Sequence, residues 1–450
     1  MIVSTVILAA GQGTRMRSSL PKVLHCLAGK PFIEYSLLAA ESLGGETPIV
    51  VVGHGADAVR SYVGERARFA VQVRQHGTAH ALLTAEPLLA GQSDLVVVIS
   101  ADMPLLISST LRKLVEIQTA NPGPMTMLTV LSKDSHGFGH VVRSEDGSVK
   151  AIVEEAVATP EQLAIEELNA GVYCFSAQWL WPALHRIKVS PTGEYYLTDT
   201  VGLAAKKGLR VEALTLSDSE EAIGINTRQH LAEAEAILRK RINTAWMLEG
   251  VTIIDPNTTY IGPDVRIGKD CIIYPGTHLS GTCEIGEECT LGPNAILTDT
   301  RVGSLCQIGA SVLEGAVAED RVKIGPFCHL LPGAYLAAGV ALGNHVEIAN
   351  SYLAPGVQVP HFSFIGDTTV GENVTIEAGA VVCNYESQFD QPAEIGSESV
   401  IGAGTMIVSP VKIGDGIYTH AGTIVESDVP SEIPPAASPN PLEGSQEESE

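Results

Sequence analysis

Two different hydrophobic patterns divide the chain near residue 250. Before it, short apolar runs typical of buried strands alternate with stretches whose apolar positions have helical spacing, which favours a mostly parallel sheet covered by helices. The predicted strands are Val3–Ala9, Ile49–Val52, Leu95–Ile99, Thr126–Val130 and Gly171–Phe175, and the clearest predicted helices are Pro31–Leu43 and Ser109–Thr119. We therefore predict an α/β domain over residues 1–225.

Residues 226–250 have the spacing of a single amphipathic helix. Apolar side chains recur three and four positions apart and would form one stripe; they are Leu231, Ala234, Leu238, Ile242, Ala245 and Trp246. Gly250 is a suitable residue to end the helix. We predict a connecting helical arm.

After residue 250 the sequence becomes a hexapeptide repeat. Pairs of an aliphatic residue and glycine recur six residues apart, as in Ile261-Gly262 and Ile267-Gly268, Ile285-Gly286 and Leu291-Gly292, Val302-Gly303 and Ile308-Gly309, and Ile395-Gly396 and Ile401-Gly402. Three residues after the glycine the repeat places a small or β-branched residue: Val265, Cys271, Cys289, Ala295, Cys306, Val312, Cys328, Val346 and Val374. This pattern resembles the left-handed parallel β-helix, which we predict for residues 251–430.

The repeat also accounts for four of the eight cysteines. Cys271, Cys289, Cys306 and Cys328 all occupy the small inward position of the hexad, and the chain contains no Cys-x-x-Cys spacing. Cysteine packs well as a small buried hydrophobe. Core packing is therefore a better interpretation than a metal or disulfide framework.

Composition excludes several classes of partner. The net charge of −24 argues against a nucleic-acid backbone or an anionic membrane as the main partner, since both need a basic face. Apolar runs fall far short of the roughly 20 residues that span a bilayer, so membrane insertion is not expected. The amino terminus lacks a basic segment typical of a signal peptide. We predict a cytoplasmic protein, and the acidic, proline-containing segment 431–450 is predicted to be disordered.

The first predicted strand runs directly into a glycine turn. Backbone N–H groups at such a turn can bind phosphate at the carboxyl end of a sheet, and Arg15 and Lys22 place two cations beside it. The string is not a P-loop, because no Gly-Lys-Ser/Thr follows it. The combination indicates nucleotide chemistry.

The longer string Leu-Ala-Ala-Gly-x-Gly-Thr-Arg-Met, followed by Pro-Lys, resembles the signature of sugar-1-phosphate nucleotidylyltransferases. The resemblance implies a Rossmann-like nucleotidyltransferase domain whose loop wraps UTP, with Arg15 and Lys22 contacting phosphates in catalysis. It implies nucleotide binding by Leu8, Ala9, Ala10, Gly11 and Gly13.

A metal site is implied by two further matches to this family. Asp102 follows the strand Leu95–Ile99 in an Asp-x-Pro segment, and Asn226 lies in a Gly-x-Asn-x-Arg string. The resemblance makes both of them ligands of Mg²⁺, which would complete its coordination with waters and phosphate oxygens.

Base and sugar recognition can be placed by the same resemblance. Gln72, Gly77 and Thr78 match the segment that pairs with the uracil edge, and an amide side chain suits uracil chemically. Gly139, Glu154 and Asn169 match positions that bind the hydroxyl and acetamido groups of the hexose. Ala156 stands where a lysine is often found.

Over residues 3–430 the chain resembles the family of bifunctional N-acetylglucosamine-1-phosphate uridylyltransferase/glucosamine-1-phosphate acetyltransferases. In these proteins the β-helix trimerises and acetylates glucosamine-1-phosphate with acetyl-CoA. The matching acetyltransferase positions that keep their chemistry are His361 as general base, Glu347, Asn384 and Tyr385.

Other positions of that second site have lost theirs. The expected Arg, Lys and Tyr are Leu331, Ala349 and Phe364, and the residues after the Cys-Asn-Tyr string are also changed. Both substrates carry phosphates, yet the basic residues after Gly250 are Arg266, Lys269, Arg301, Arg321, Lys323 and Lys412, mostly in the first coils. An unpaired anion is costly to desolvate, so acetyl transfer is expected to be weak or absent.

The sequence therefore predicts a Mg²⁺-dependent uridylyltransferase that forms UDP-N-acetylglucosamine and pyrophosphate from UTP and N-acetylglucosamine-1-phosphate. Its β-helix would form a homotrimer, and acetyl-CoA would be a co-substrate only if the second site is active. Three alternatives stay open: a fully bifunctional enzyme, a nucleotidylyltransferase for another sugar-1-phosphate, and a non-enzymatic assembly protein.

Overall fold

The computed structural model describes residues 1–133, 137–155, 158–190, 193–383 and 392–431. Within it the chain forms two compact units, Met1–Leu238 and Arg239–Glu450. The predicted tail falls almost entirely outside the described residues, as do Asn384 and Tyr385.

The first unit is built on one twisted sheet with helices on its faces. Its strands are β1 (Val3–Ala9), β2 (Cys26–Leu27), β3 (Lys30–Pro31), β4 (Ile49–Val52), β5 (Arg68–Val71), β6 (Leu95–Ser100), β7 (Met125–Leu131), β8 (His140–Arg143), β9 (Val149–Val153), β10 (Glu167–Ser176) and β11 (Val211–Thr215). Its helices are α1 (Phe32–Glu41), α2 (Ala56–Val63), α3 (Thr78–Leu83), α4 (Glu86–Leu89), α5 (Ser108–Ala120), α6 (Pro160–Leu163), α7 (Ala177–Leu184) and α8 (Asp199–Lys206), followed by α9 (Arg228–Leu248). Short 3-10 turns include Thr14–Met16, Lys22–Leu24, Gly64–Arg66 and Ser219–Ala222.

The main sheet has the strand order β11-β7-β10-β6-β1-β4-β5, with β8 and β9 branching from β10. Alternate residues of β1 enter different cores, since Ile7 packs in one cluster and Val6 in another. Both faces of the sheet are therefore covered, which explains why its strands read as continuous apolar runs.

The sheet is less uniformly parallel than the sequence pattern predicts. β10 lies antiparallel to both β6 and β7, and β8 is antiparallel to β9 and β10. A short turn joins β8 to β9, and such a turn can connect only antiparallel strands. Strand β10 therefore lies between β6 and β7 and runs antiparallel to both.

The second unit is a left-handed parallel β-helix, as predicted. One side of the solenoid consists of β12 (Thr252–Ile253), β15 (Ile272–Ile273), β18 (Thr290–Leu291), β21 (Gln307–Ile308), β24 (Lys323–Ile324), β27 (Ala341–Asn344), β30 (Gln358–His361), β33 (Thr375–Ile376) and β36 (Val400–Ile401). The next side consists of β13 (Tyr260–Ile261), β16 (His278–Ser280), β19 (Ile296–Thr298), β22 (Val312–Glu314), β25 (His329–Leu330), β28 (Glu347–Ala349), β31 (Phe364–Gly366), β34 (Val381–Cys383), β37 (Met406–Val408) and β39 (Ile424–Val425). The third consists of β14 (Arg266–Ile267), β17 (Glu284–Ile285), β20 (Arg301–Val302), β23 (Val317–Ala318), β26 (Tyr335–Leu336), β29 (Tyr352–Leu353), β32 (Thr368–Val370), β35 (Ala393–Ile395) and β38 (Lys412–Ile413).

The inward positions of the hexads form one continuous core. The four cysteines assigned to them are at most 2% exposed, and each thiol donates to a backbone carbonyl, as Cys271 does to Gly286 at 3.0 Å. One inward assignment is wrong. Val312 begins β22 as an outward, partly exposed residue, and Ser311 takes the buried position, because the turn after Gly309 is one residue shorter than the turn after Gly292.

Helix α9 carries the predicted apolar stripe except at Ala245, which is exposed. Its first part packs within the first unit, where Ala234 is fully buried beside Leu231 and Leu238. Its last part belongs to the second unit, where Ile242 and Trp246 pack against the solenoid core. Inside that unit the end of the helix therefore covers the apolar interior of the first coil, which a solenoid otherwise leaves open.

Candidate active site

The glycine turn after β1 is held close to Lys22. Gly13 has a φ of +62°, and a Cβ at this position would lie 2.7 Å from the Cβ of Lys22. Both the left-handed backbone and the close approach favour glycine. The turn Lys22–Leu24 is thus packed against the loop that the sequence analysis assigned to phosphate binding.

Strand pairing brings Asp102 to the same edge of the sheet. β1 and β6 are parallel neighbours with Leu8 opposite Ser100, and the N–H of Ala101 donates to the carbonyl of Leu8 at 3.0 Å. Asp102 therefore follows its strand where the glycine loop follows β1. Carboxyl ends of parallel strands commonly form ligand sites.

A third segment, carrying Asn226, is fastened to this edge by two contacts. The N–H of Ile225 donates to the carbonyl of Asp102 at 2.8 Å. The buried carboxylate of Glu221 accepts from the N–H of Ile107 at 3.2 Å and from the Thr110 hydroxyl at 3.0 Å, which ties the segment to the start of α5. Acidic side chains are stabilised at a helix amino terminus.

Lys22 lies between the two residues predicted to bind metal. Its Nζ donates to Asp102 Oδ2 at 2.5 Å and to Asn226 Oδ1 at 3.1 Å. The side chains of Lys22 and Asp102 are 13% and 19% exposed, so water screens this ion pair only partly. Two side-chain oxygens thus converge on one cation.

The environment keeps the Asp102 carboxyl ionised. Burial by itself raises its pKa, but the positive charge of Lys22 and hydrogen bonds from Lys22, Ser100 and the backbone outweigh burial. The pKa of Asp102 is therefore held below its usual value.

This donor set fits a divalent cation. A carboxylate oxygen and an amide oxygen are hard ligands of the kind Mg²⁺ prefers. Within the described residues no group of three or more His, Cys, Asp or Glu side chains could enclose a metal ion. An ion held by Asp102 and Asn226 would therefore need further oxygens from water and from a bound phosphate.

The cluster opens into a cavity of about 550 Å³ that most of the predicted site residues line. From the sequence prediction it includes Leu8, Ala9, Ala10, Gly11, Lys22, Gln72, Gly77, Thr78, Asp102, Glu154, Asn169 and Asn226. Further lining residues include Gln12, Gln75, Ser100, Phe138, Tyr173, Tyr196 and Thr198. Segments more than 200 residues apart in sequence thus face one space.

Among the described residues that were predicted for the nucleotidyltransferase site, three do not line this cavity. Gly13 instead shapes the turn beside Lys22, and Gly139 backs onto Ile152 and Glu154. Arg15 lies on the 3-10 turn Thr14–Met16 with an exposed side chain.

Gln72, which lines the cavity, is 3% exposed and oriented by two partners. Its Nε2 donates to the carbonyl of Gly77 at 3.0 Å and lies 3.0 Å from Nδ1 of His80. Burial and the neighbouring His76 lower the pKa of His80, so its ring is neutral and Nδ1 can accept. The amide hydrogens are thereby used, and Oε1 is the group that Gln72 offers to a ligand.

Gly77 fixes the adjoining turn. It has a φ of +95°, and a Cβ there would lie 2.5 Å from the carbonyl oxygen of Tyr195. The hydroxyl of Thr78 accepts from the N–H of Leu197 at 3.0 Å. These contacts join the turn at Gly77 and Thr78 to the segment around Tyr196.

Asn169 and Glu154, which also line the cavity, are held by neighbours that the sequence prediction did not name as site residues. Asn169 exchanges hydrogen bonds with the hydroxyl of buried Tyr173 at 2.8 and 3.1 Å, and Thr198 donates to Glu154 at 3.2 Å. No sequence motif marks such supporting contacts, because the partners of Glu154 and Asn169 are fixed by the fold.

The acetyltransferase-like positions lie on the solenoid. His361 ends β30, where its Nδ1 hydrogen-bonds the side chain of Asn344 on the preceding coil. It borders an open groove of about 800 Å³ that Lys323 also lines. One cation therefore shares the groove with His361.

The substituted positions lie on the neighbouring side of the solenoid. Because Leu330 pairs with Ile348, the residues that follow them, Leu331 and Ala349, lie on adjacent coils. Glu347 lies opposite Phe364 on the next coil. Glu347 thus has an aromatic neighbour, and the adjacent positions Leu331 and Ala349 are apolar.

Family profiles agree with this division of the chain. The MobA-like NTP transferase domain matches residues 5–178. The bacterial transferase hexapeptide (six repeats) matches residues 264–299, and the hexapeptide repeat of succinyl-transferase matches residues 392–427. The fold and the cavity define a nucleotidyltransferase joined to a hexapeptide-repeat β-helix.

Curated bacterial relatives extend over almost the whole chain. "Bifunctional protein GlmU" of Heliobacterium modesticaldum is 42% identical over 429 residues, 95% of this chain and 94% of that protein. Its namesakes from Halalkalibacterium halodurans and Streptomyces avermitilis are 40% and 42% identical over 95% of this chain, and over 94% and 90% of their own lengths. The chain belongs to the GlmU family, and the prediction of a nucleotidyltransferase enzyme is confirmed.

Among solved structures, a UDP-glucose pyrophosphorylase complexed with UDP-glucose aligns with 54% of this chain and all of its own, at 20% identity and a TM-score of 0.44. None of the helices in the described residues combines the length and apolar character that crossing a membrane requires.

Proposed function

We propose that the chain is a Mg²⁺-dependent uridylyltransferase that converts UTP and N-acetylglucosamine-1-phosphate to UDP-N-acetylglucosamine and pyrophosphate. The observation that carries this proposal is the single cavity shared by the glycine loop, the Lys22–Asp102–Asn226 cluster, Gln72, Glu154 and Asn169. The resemblance of these segments to the sugar-1-phosphate nucleotidylyltransferase signature supplies the sugar and the nucleotide.

The proposed reaction is an in-line displacement. A phosphate oxygen of the sugar-1-phosphate forms a bond to the α-phosphorus of UTP. The bond from that phosphorus to the oxygen bridging the β-phosphorus breaks, and pyrophosphate leaves with the electron pair. A phosphate monoester is already ionised at neutral pH, so positioning and electrostatics can carry the rate without a general base.

In this proposal the glycine loop and Lys22 bind the triphosphate, and Arg15, exposed on the same loop, closes on it when nucleotide is bound. Asp102 and Asn226 would hold Mg²⁺, which supplies charge neutralisation when bound. Glu154 and Asn169 orient the hexose through its hydroxyl and acetamido groups.

The proposal for the base rests on Gln72. Its Oε1 can accept from the imide N–H of uracil, whereas cytosine presents an acceptor at the same ring position. We expect Gln72→Met to lower kcat/KM for UTP about tenfold to a hundredfold, because a buried hydrogen bond to the substrate is lost. The preference for UTP over CTP should fall with it.

Steady-state kinetics with both nucleotides measure this preference. Gln92→Met removes an exposed amide from the surface and serves as the matched control. An unchanged ratio of kcat/KM for UTP and CTP in Gln72→Met would show that Gln72 does not read the base.

For the second half we propose weak or absent acetyl transfer to glucosamine-1-phosphate. Leu331 and Ala349 replace cations of the family pattern, and phosphates left without cationic partners are costly to desolvate. A specific observation favours the second candidate, a fully bifunctional enzyme: Lys323 lines the groove that His361 borders. Acetyl-CoA is a co-substrate only in that case.

One experiment tests both halves. Pyrophosphate release is measured with UTP and Mg²⁺, using N-acetylglucosamine-1-phosphate, or glucosamine-1-phosphate with and without acetyl-CoA. We expect rapid release with the acetylated sugar only. Release from glucosamine-1-phosphate that depends on acetyl-CoA would establish the bifunctional enzyme, and His361→Ala should then abolish that dependence. Absence of release with the acetylated sugar would contradict the proposed substrate.

Assembly into a homotrimer through the β-helix belongs to the same proposal. The side of the solenoid that carries β19, β37 and β39 exposes apolar side chains, with Ile296, Met406 and Ile424 at 42%, 39% and 61% exposure. Apolar residues exposed along one face are typical of association sites. A cytoplasmic location remains a prediction from the sequence.

A further inference from the structure

The ammonium of Lys22 stands where the proposed metal ion would have to bind. Its Nζ is within hydrogen-bonding distance of both Asp102 Oδ2 and Asn226 Oδ1, at 2.5 and 3.1 Å. The carboxylate and the amide oxygen each face the same cation. A divalent ion that used both oxygens would compete with this ammonium for them.

Burial makes that competition strong. The side chains of Lys22 and Asp102 are 13% and 19% exposed, and an ion pair that water screens only partly is stronger than a pair on the surface. Asp102 in turn needs a cation, because a buried carboxylate without a partner is highly unfavourable. The ammonium meets that need in the free protein.

Local structure holds Lys22 in this position. It begins the 3-10 turn Lys22–Leu24. Its Cβ lies so close to the backbone of Gly13 that no side chain would fit at position 13. The Asp102 and Asn226 segments are joined by the hydrogen bond from the Ile225 N–H to the Asp102 carbonyl at 2.8 Å. The oxygens are therefore positioned before a metal arrives, while the long lysine side chain remains able to turn aside.

From this geometry we propose that Lys22 is the intrinsic counter-ion of the metal site and must leave Asp102 and Asn226 before a divalent cation can bind there. In the free enzyme it keeps metal affinity low. When nucleotide enters the cavity, its phosphates offer the ammonium another partner, so nucleotide and metal bind cooperatively. Coupling of this kind is a difference in binding free energy and acts equally in both directions. The inference rests on the proposed metal role of Asp102 and Asn226.

Mn²⁺ binding to the full-length protein without nucleotide tests the inference independently of turnover. Free and bound Mn²⁺ are distinguished by electron paramagnetic resonance. We expect Lys22→Met to bind Mn²⁺ at least about tenfold more tightly than the wild type, because the competing ammonium is gone. Lys22→Gln provides a second variant with a polar side chain in case Lys22→Met folds poorly.

Two matched variants separate the explanations. Arg17→Met removes the same charge from the end of the 3-10 turn Thr14–Met16, but Arg17 is exposed and has no contact with Asp102 among the described contacts, so the Mn²⁺ affinity of this variant should stay near that of the wild type. Asp102→Asn should lose Mn²⁺ binding whether or not Lys22 is present.

Each outcome decides one question. If both Lys22 variants bind Mn²⁺ no better than the wild type while Asp102→Asn binds less, Lys22 does not compete with the metal and the inference fails. If the Mn²⁺ affinity of Arg17→Met rises as much as that of Lys22→Met, the effect is general electrostatics and the inference fails. If Asp102→Asn leaves Mn²⁺ binding unchanged, the proposed metal assignment itself is wrong.

Discussion

Asp102→Asn is expected to reduce kcat/KM for nucleotidyl transfer by about a thousandfold while leaving the fold intact, since loss of one well-placed electrostatic group or metal ligand commonly has effects of this size. Asp102 is the carboxylate that faces Lys22 and Asn226 at the carboxyl edge of the sheet. The substitution keeps the side-chain volume and removes the charge. Initial rates of pyrophosphate release over a range of UTP concentrations, at a fixed saturating concentration of sugar-1-phosphate, measure the loss in kcat/KM, and circular dichroism checks the fold.

The first unit offers a matched control at the other end of the same strand. Asp94 precedes β6, where its exposed carboxylate accepts from the N–H of Ile2 at 2.7 Å, far along the strand from Asp102. Asp94→Asn makes the same chemical change outside the cavity and should leave turnover close to that of the wild type. Full activity in a folded Asp102→Asn protein would contradict both the metal assignment and the placement of the reaction centre.

Asn243→Asp should destabilise the first coils of the solenoid by about 3–5 kcal/mol, the range found when a charge is buried without a partner. Asn243 is 0% exposed, and its Nδ2 donates to the carbonyls of Pro256 at 2.8 Å and Thr259 at 3.0 Å. A carboxylate would turn negative charge toward two carbonyl oxygens. A protonated carboxyl could donate to only one of them.

This effect should depend on pH in a definite direction. Burial and the two facing carbonyls would raise the pKa of the introduced carboxyl in the folded protein above its value in the unfolded chain. The destabilisation should therefore be smallest in acid and grow as the pH rises above the pKa of the unfolded state.

Hydrogen–deuterium exchange localises the change. Amides of β12 and β13 should lose protection relative to those of β1 and β6, because opening of the first coil becomes cheaper. Asn257→Asp places the same charge on an exposed residue of the same coil and should leave protection unchanged. Equal protection in Asn243→Asp and the wild type would show that α9 does not anchor the solenoid through Asn243.

Much of the architecture follows from local periodicity. Hexads of one aliphatic and one small residue can bury their apolar side chains only by stacking. The repeat therefore predicts both the β-helix and the burial of its cysteines. The apolar runs of β1, β4 and β6 likewise report strands covered on both faces. The glycine loop and Asp102 could be placed at one edge because both follow such runs.

The repeat does not predict which residues point inward where a coil deviates from six residues per hexad. Val312 was assigned inward by counting from Gly309, yet a shorter turn moves that role to Ser311. Counting fails after any one-residue change, since the side-chain period of a strand is two and a single shift exchanges the faces.

The contacts that give the candidate site its chemistry were decided only by the tertiary structure. Lys22 donates hydrogen bonds to Asp102 and Asn226, which are 80 and 204 residues away in sequence. Gln72 donates its amide hydrogens to Gly77 and His80. The sequence by itself determined where the buried strands lie and that the glycine loop and Asp102 follow two of them, because strand burial and turn formation depend on local sequence. It did not determine that an ammonium lies between the two predicted metal ligands, because the partner of a charged side chain depends on strand order and on the exclusion of water.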